Sequence, residues 1–159
     1  MGIFLKLGDI ESDATDKNHK AWIACESFTG GTSRPMFLET GGGNLRETSD
    51  ADFHEIGLRM NMHKASPKVF LASVMGDAVK AVIHITRSGD TSGTQNYLEV
   101  TLTDTYVTRY VMDCGGDTPM ENISLNFTEI EKKYIPNKSD GKPASPTPVG
   151  YSMVTGEKK

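Results

Sequence analysis

Only one stretch of the chain, Ala65 to Gly76, sets its apolar residues at helical spacing, and the segments on either side alternate as strands do. Ser66 offers an acceptor to the first free backbone N–H groups, Pro67 suits the first helical position, and Gly76 can take the left-handed conformation that stops a helix. The spacing predicts a helix over about Pro67 to Met75, with Pro67, Leu71, Val74 and Ala78 forming an apolar stripe flanked by Phe70 and Met75. At 1.5 Å per residue such a rod is about 15 Å long. It can cover one side of a β structure and little more, so the fold class is mainly β with one short α-helix.

The strands follow from period-two alternation. Ile3, Leu5 and Leu7 make the first, stopped by Gly8-Asp9. A second runs from about His19 to Phe28, with Ala21, Ile23 and Cys25 on one face, and Trp22, Ala24, Glu26 and Phe28 on the other; Trp22 is the expected anchor of the core. Ile56, Leu58, Met60 and Met62 mark a third strand and Val79 to Thr86 a fourth. Leu98, Val100 and Leu102 alternate until Asp104, where a β-bulge is expected. The chain turns at Gly115-Gly116-Asp117, and Ile123, Leu125 and Phe127 open a last strand reaching about Tyr134. Residues 1–136 read as a single β domain. Residues 137–159, rich in Lys, Ser, Gly and Pro, read as an extended C-terminal tail with one short edge segment around Tyr151.

Gly30 to Asp52 reads as a long exposed loop. Compact domains seldom keep connections above about 15 residues unless they bind something, so this loop is the first functional suspect. Its Gly41-Gly42-Gly43 run lacks the GK[ST] ending of a phosphate loop and the GxGxxG of a dinucleotide site.

Other chemistry is absent from the pattern. The net charge of -4 over 159 residues comes with Lys and Arg scattered among acids, so no basic stripe is present and nucleic acid is not expected as a partner. No run approaches the ~18 apolar residues of a membrane span, so no membrane insertion is expected. The first residues lack the pattern of a signal peptide, which makes synthesis in the cytoplasm the default. Cys25 and Cys114 have no metal-ligand spacing and read as small core residues. His19, His54, His63 and His84 form no HExxH and no Cys/His pairing, and read as surface or interface side chains. No cofactor, no metal and no catalytic residue is expected, and without a nucleophile elbow the chain is not read as an enzyme.

Taken in order, Leu7-Gly8-Asp9-Ile10, Asp16-Lys17-Asn18-His19-Lys20 before Trp22-Ile23, Asp52-Phe53, Lys64-Ala65-Ser66-Pro67-Lys68, Tyr97 to Leu102, and Ser124-Leu125-Asn126-Phe127 followed by Ile130-Glu131 and Tyr134-Ile135-Pro136 resemble the Hcp family. These haemolysin-coregulated proteins form the inner tube of type VI secretion systems and are similar to phage tail-tube proteins. The resemblance implies a two-sheet antiparallel β-barrel flanked by the helix, a homo-hexameric ring, and rings stacked into a tube. It further implies a spike trimer at the tip, contractile sheath proteins as partners, secreted effectors as cargo, and export to the medium or a target cell without a signal peptide.

On this reading Ser27 and Thr29, taken to share an alternating face with Cys25, belong to the lumen wall that effectors touch. The loop from Thr40 to Asp50 is the contact between stacked rings: Asn44, Arg46, Glu47 and Asp50 supply polar groups, Leu45 is the apolar anchor, and Gly42 lies in the run that needs a partner to order it. Ala21 departs from the Gly or Glu common in the family. The alternative is a stand-alone β-barrel binding module without catalytic activity, which a clean monomer in solution would favour.

Overall fold

Strand follows strand with a single helical interruption. In the computed structural model, which describes residues 1–38, 46–88, 94–138 and 142–159, the order is β1 (Gly2–Leu7), β2 (Ile23–Cys25), β3 (Ser27–Thr29), β4 (Thr32–Ser33), β5 (Met36–Leu38), β6 (Arg46–Thr48), β7 (Asp52–Phe53), β8 (Ile56–Asn61), α1 (Ser66–Met75), β9 (Val79–Ser88), β10 (Thr94–Asp113), β11 (Met120–Asn126), β12 (Glu129–Tyr134), β13 (Thr147–Ser152) and β14 (Glu157–Lys158). The first sheet runs β2, β1, β9, the first half of β10, β12, β13 and β14; the second runs β3, β8, β11 and the second half of β10. All these pairs are antiparallel. The sheets face each other as a two-sheet barrel left open among the described residues, and the chain crosses between them along β10 and again at Glu26, whose N–H donates to Arg59 O at 2.7 Å.

The inward residues are those the alternation selects. Ile3, Leu5 and Leu7, Ile23, Ile56, Leu58 and Met60, Ile83, Val100 and Leu102, Ile123 and Leu125 are all buried in one cluster. Apolar side chains on every second position of facing sheets can be packed only between them, which supplies the main stabilising term. The bulge falls where expected: Asp104 has φ 47°, and β10 shifts register against β9 between Leu102 and Thr105.

Several expectations change. The second strand begins at Ile23, because Ala21 sits at φ 63° and the chain turns there. Trp22 is only partly buried; its ring lies 4.7 Å from that of His84 at the rim of the barrel, and aliphatic side chains anchor the core. The last strand is broken at Phe127-Thr128, where Thr128 N–H turns to Thr103 O at 3.1 Å, so β11 joins the second sheet and β12 the first. Residues 30–53 carry two short ladders, β4 with β7 and β5 with β6, and so form a two-step arm. In the segment expected as a tail, β13 pairs with β12 over six residues around Tyr151, and β14 pairs with β13 in turn.

The helix is where the caps put it, but its dressing differs. Gly76 closes it at φ 69° with its N–H on Ala72 O, whereas Ser66 makes no cap bond to the helix. The expected stripe faces outward: Phe70, Leu71, Val74 and Met75 are 52%, 54%, 65% and 63% exposed, and Pro67 and Ala78 are exposed too. The face against the barrel is Ala65 and Val69, with Ala72 partly buried. Small side chains at i, i+4 and i+7 let the helix axis approach the sheet closely, and the larger stripe is left exposed.

Candidate functional site

The second sheet keeps one face for the core and turns the other to water. Its wet face aligns Ser27, Arg59, Asn122 and Val111 in one row, and Thr29, Gly57, Ser124 and Arg109 in the next. Thr29 Oγ1 donates to Gly57 O at 3.3 Å and lies 2.6 Å from where a Cβ on residue 57 would stand, so only glycine lets this hydroxyl fold over β8. The result is a shallow polar groove of about 290 Å³ between Ser27, Thr29, Arg59, Arg109, Asn122 and Ser124. The acids on this face are at its ends: Glu26 accepts from Asn61 Nδ2 at 2.7 Å, Glu55 from Asn126 Nδ2 at 3.4 Å, and Asp113 from the N–H of Gly115 at 3.1 Å.

Ser27 and Thr29 thus stand on the polar face, but not on the side of Cys25. Cys25 points into the core, where burial pushes its thiol up to about 12, and the crossing at Glu26 reverses the alternation before Ser27. Cys114, expected in the core, is exposed in the turn after β10.

Both margins of this sheet are open among the described residues. β3 pairs with β8 on one side only, and residues 106–113 of β10 pair with β11 on one side only. Beside them rises the arm, held at its base by Ser33 Oγ with His54 Nε2 at 3.0 Å, and by Ser49 Oγ donating to Pro35 O at 3.1 Å. Arg46 and Glu47 belong to strand β6 of the arm and Asp50 is exposed just after it; Gly42, Asn44 and Leu45 lie outside the described residues. An apolar cavity of about 190 Å³ opens at the foot of the arm, where Phe53 stacks on Tyr151 at 5.3 Å.

The helix is tied to the core side of the same sheet by a buried carboxylate. Glu121 of β11 is fully buried; Ser66 Oγ donates to its Oε2 at 2.7 Å and Tyr110 Oη to its Oε1 at 2.5 Å. Ser66 Oγ also accepts the N–H of His63 at 2.9 Å, so this serine secures the approach to the helix and not its first turn. His63 Nδ1 accepts the N–H of Ala65 at 3.1 Å, and burial lowers the basicity of its ring although Glu121 and Asp13 oppose the shift. Hydroxyl donors on both oxygens are what make a buried carboxylate tolerable.

The stretch Asp16-Lys17-Asn18-His19 also acquires a physical role. His19 is buried, stacked on Phe4 at 4.3 Å, with Nδ1 2.7 Å from Asp16 Oδ1 and Nε2 3.0 Å from His84 Nδ1. Asn96 joins His84 to Glu99, and Lys133 closes the chain on Glu99 at 2.9 Å. This polar network holds the N-terminal loop against β9 and β10. Of the four histidines only His54 is exposed; His19, His63 and His84 are joints of polar networks, because a ring nitrogen can accept a backbone or side-chain proton where no aliphatic group could. No three His, Cys, Asp or Glu residues are grouped to hold a metal among the described residues.

The deciding observation comes from sequence comparison: residues 4–134 match the family profile described as "Type VI secretion system effector, Hcp". The chain belongs to the Hcp family. It is a structural component of the type VI secretion system. The Hcp1 protein of Pseudomonas aeruginosa is 26% identical over 155 residues, 95% of this chain and 94% of its own. A solved structure titled "Structure of a type six secretion system protein" superposes with a TM-score of 0.88 at 26% identity, covering 99% of both chains. More distantly, a chain of an extracellular contractile injection system sheath–tube complex shares the Hcp fold with a TM-score of 0.60 at 15% identity, over 83% of this chain and 88% of its own. The family named by the motifs is the one found, and those motifs fall on the His19 network, the helix approach and the β10–β11–β12 path. Glu121 and the two open margins escaped the sequence reading. A lone acid between Met120 and Asn122 carries no periodic signal, and an open edge is a property of pairing.

Proposed function

We infer that copies of this Hcp chain join side by side through the open margins of the second sheet, forming a hexameric ring whose inner wall is the polar face. The observation that supports this most is the combination of a wet sheet face with two unpaired edges. An unpaired edge is a template for another strand, and proteins blunt or cover such edges when no partner is to pair with them. Four antiparallel strands also leave β3 and the second half of β10 running in opposite directions. A neighbour related by rotation about an axis along the strands therefore offers β3 as an antiparallel partner to β10, a heterologous contact that closes into a ring. The outward stripe of α1 gives the same neighbour apolar surface to cover.

In this reading the arm, with Arg46, Glu47 and Asp50 and the run containing Gly42, Asn44 and Leu45, meets the next ring, and stacking produces a tube. Ser27 and Thr29 face its lumen, where secreted effectors are carried. A spike trimer and contractile sheath proteins complete the machine, and the chain leaves the cell through it. Its work is that of a building block and not of a catalyst. The fold shared with a chain of a sheath–tube complex supports the tube.

Light scattering after size exclusion, with electron microscopy of the same fractions, tests the ring. Rings are expected at micromolar concentration; a mass of one or two chains in low and moderate salt overturns the reading. The double change Leu71→Glu, Val74→Glu, on exposed helix positions, should leave the monomer within about 0.5 kcal/mol of its stability while dissolving the ring. Replacing Gly41 to Ser49 by a two-residue turn should spare rings and abolish tubes.

A further inference from the structure

The centre of the wet sheet face is opposite in charge to the protein as a whole. The chain is net -4, yet the charged side chains at the centre of this face are Arg59 and Arg109, both exposed. Neither guanidinium has a carboxylate within ion-pair distance among the described residues. The acids sit at the ends of the face: Glu26 and Glu55 at the two ends of β8, each engaged by an asparagine amide, and Asp113 at the end of β10, where it accepts the N–H of Gly115 at 3.1 Å. Between the arginines lie only short neutral groups, Thr29, Asn122 and Ser124, and the bare backbone of Gly57. Two long cations thus stand over a low polar floor, with planar forks free to take carboxylates bidentately.

Resting on the reading of this face as the inner wall of a ring, we propose that Arg59 and Arg109 make it a selector for acidic polypeptide segments. A protein segment of mixed sequence fits the pattern better than a nucleic acid does. The central arginines attract isolated carboxylates, while Glu26 and Glu55, within about one Debye length of any strand laid along β8, repel a continuous line of phosphates. Each exposed contact is weak, but every copy in a ring presents the same pair, so an acidic segment meets a closed belt of arginines and the contacts add through effective concentration. Specificity by charge with little affinity per contact also suits a surface that must release what it holds.

The test uses assembled wild-type protein and fluorescent peptides of alternating Glu-Gly and Lys-Gly of equal length, with an oligothymidylate of matched charge, followed by anisotropy. The Glu-Gly peptide is expected to bind at least about tenfold more tightly than either competitor at low salt, and to lose that advantage at high salt. Arg59→Ala with Arg109→Ala should remove the preference, and Arg59→Lys with Arg109→Lys should retain most of it. Equal binding of the two peptides, tighter binding of the oligonucleotide, or a preference that survives the double alanine change overturns the proposal. The wild-type comparison needs no variant to fold. Electron microscopy of rings carrying Ser27→Cys with Cys114→Ser, labelled with gold, reads the geometry separately, because Cys114 is the exposed native thiol: gold on the outer rim refutes the inner-wall reading and leaves the peptide preference to stand or fall by itself.

Discussion

Strand β10 lives in two environments. Its first half, residues 94–105, is bonded on one side to β9 and on the other to β12, and Val100 and Leu102 are fully buried. Its second half is bonded to β11 alone, and Tyr106, Val111 and Met112 are exposed large side chains. The joint is Asp104, held at φ 47° with Oδ2 accepting from Thr128 Oγ1 at 3.1 Å. One half completes the fold of the single chain and the other is left incomplete. The incomplete half is the one that the proposed ring would pair with a second copy.

The comparison can be broken most severely from the completed half. Leu102→Ala should cost about 2–5 kcal/mol in denaturant unfolding, because the side chain is fully buried and the surrounding strands cannot collapse into the space. Assembly should fail only in proportion to unfolding. In the open half, Glu121→Gln should cost about 1–3 kcal/mol, since an amide has only one oxygen for the hydroxyl protons of Ser66 and Tyr110. Here rings should weaken at denaturant concentrations where the monomer is still folded, because the helix that Glu121 ties down loosens first. Equal loss of rings and fold in both variants would erase the distinction.

Acid separates the halves more gently. His84 lies opposite Glu99 in the completed half, and His63 stands 3.9 Å from Glu121 behind the open one. Burial lowers the proton affinity of both rings, against the opposing pull of Glu99 and Glu121 respectively. Above the ordinary histidine range neither the folded nor the unfolded chain holds the proton, and stability is full. As pH falls through that range the unfolded chain takes up protons that the folded one resists, so stability falls until the lowered values are passed. Midpoints measured from pH 7 to about 5 should decline. Each of His63→Gln and His84→Gln should flatten part of the slope, and an unchanged slope in either variant refutes its share. At the joint, Asp104→Gly should change stability by no more than about 0.5 kcal/mol, trading relief of the positive φ for one lost hydrogen bond, whereas Asp104→Val should cost about 1–3 kcal/mol.

Much of this architecture was legible in the residues. Ile3-Leu5-Leu7, Ile56-Leu58-Met60 and Ile123-Leu125 alternate because they face one core, and Asp104 interrupts an alternation that resumes in a different sheet. Pro67 and Gly76 bound the helix by backbone chemistry that needs no neighbour. What the helix touches was not legible. Ala65-Val69-Ala72 and Leu71-Val74-Met75 are both apolar faces at helical spacing, and a rule that buries the larger one fails where the smaller side chains let the helix lie closer to the sheet. The reversal between Cys25 and Ser27 was hidden for a similar reason, since it is made by an exchange of ladder partners at Glu26 and leaves no mark on side-chain period. His19 escaped because a buried polar ring is decided by partners as distant as Phe4 and His84.

The length of β10 carries a mechanical consequence. At ~3.3 Å per residue a strand of 20 residues extends about 65 Å, less what the bend at Asp104 takes up, and it crosses both sheets. Force along that strand loads its ladders in shear, so many hydrogen bonds must yield together. Force that parts two copies at its open margin peels the bonds one after another. In the tube proposed above, subunits of this kind would resist load along the strands far better than separation at a seam.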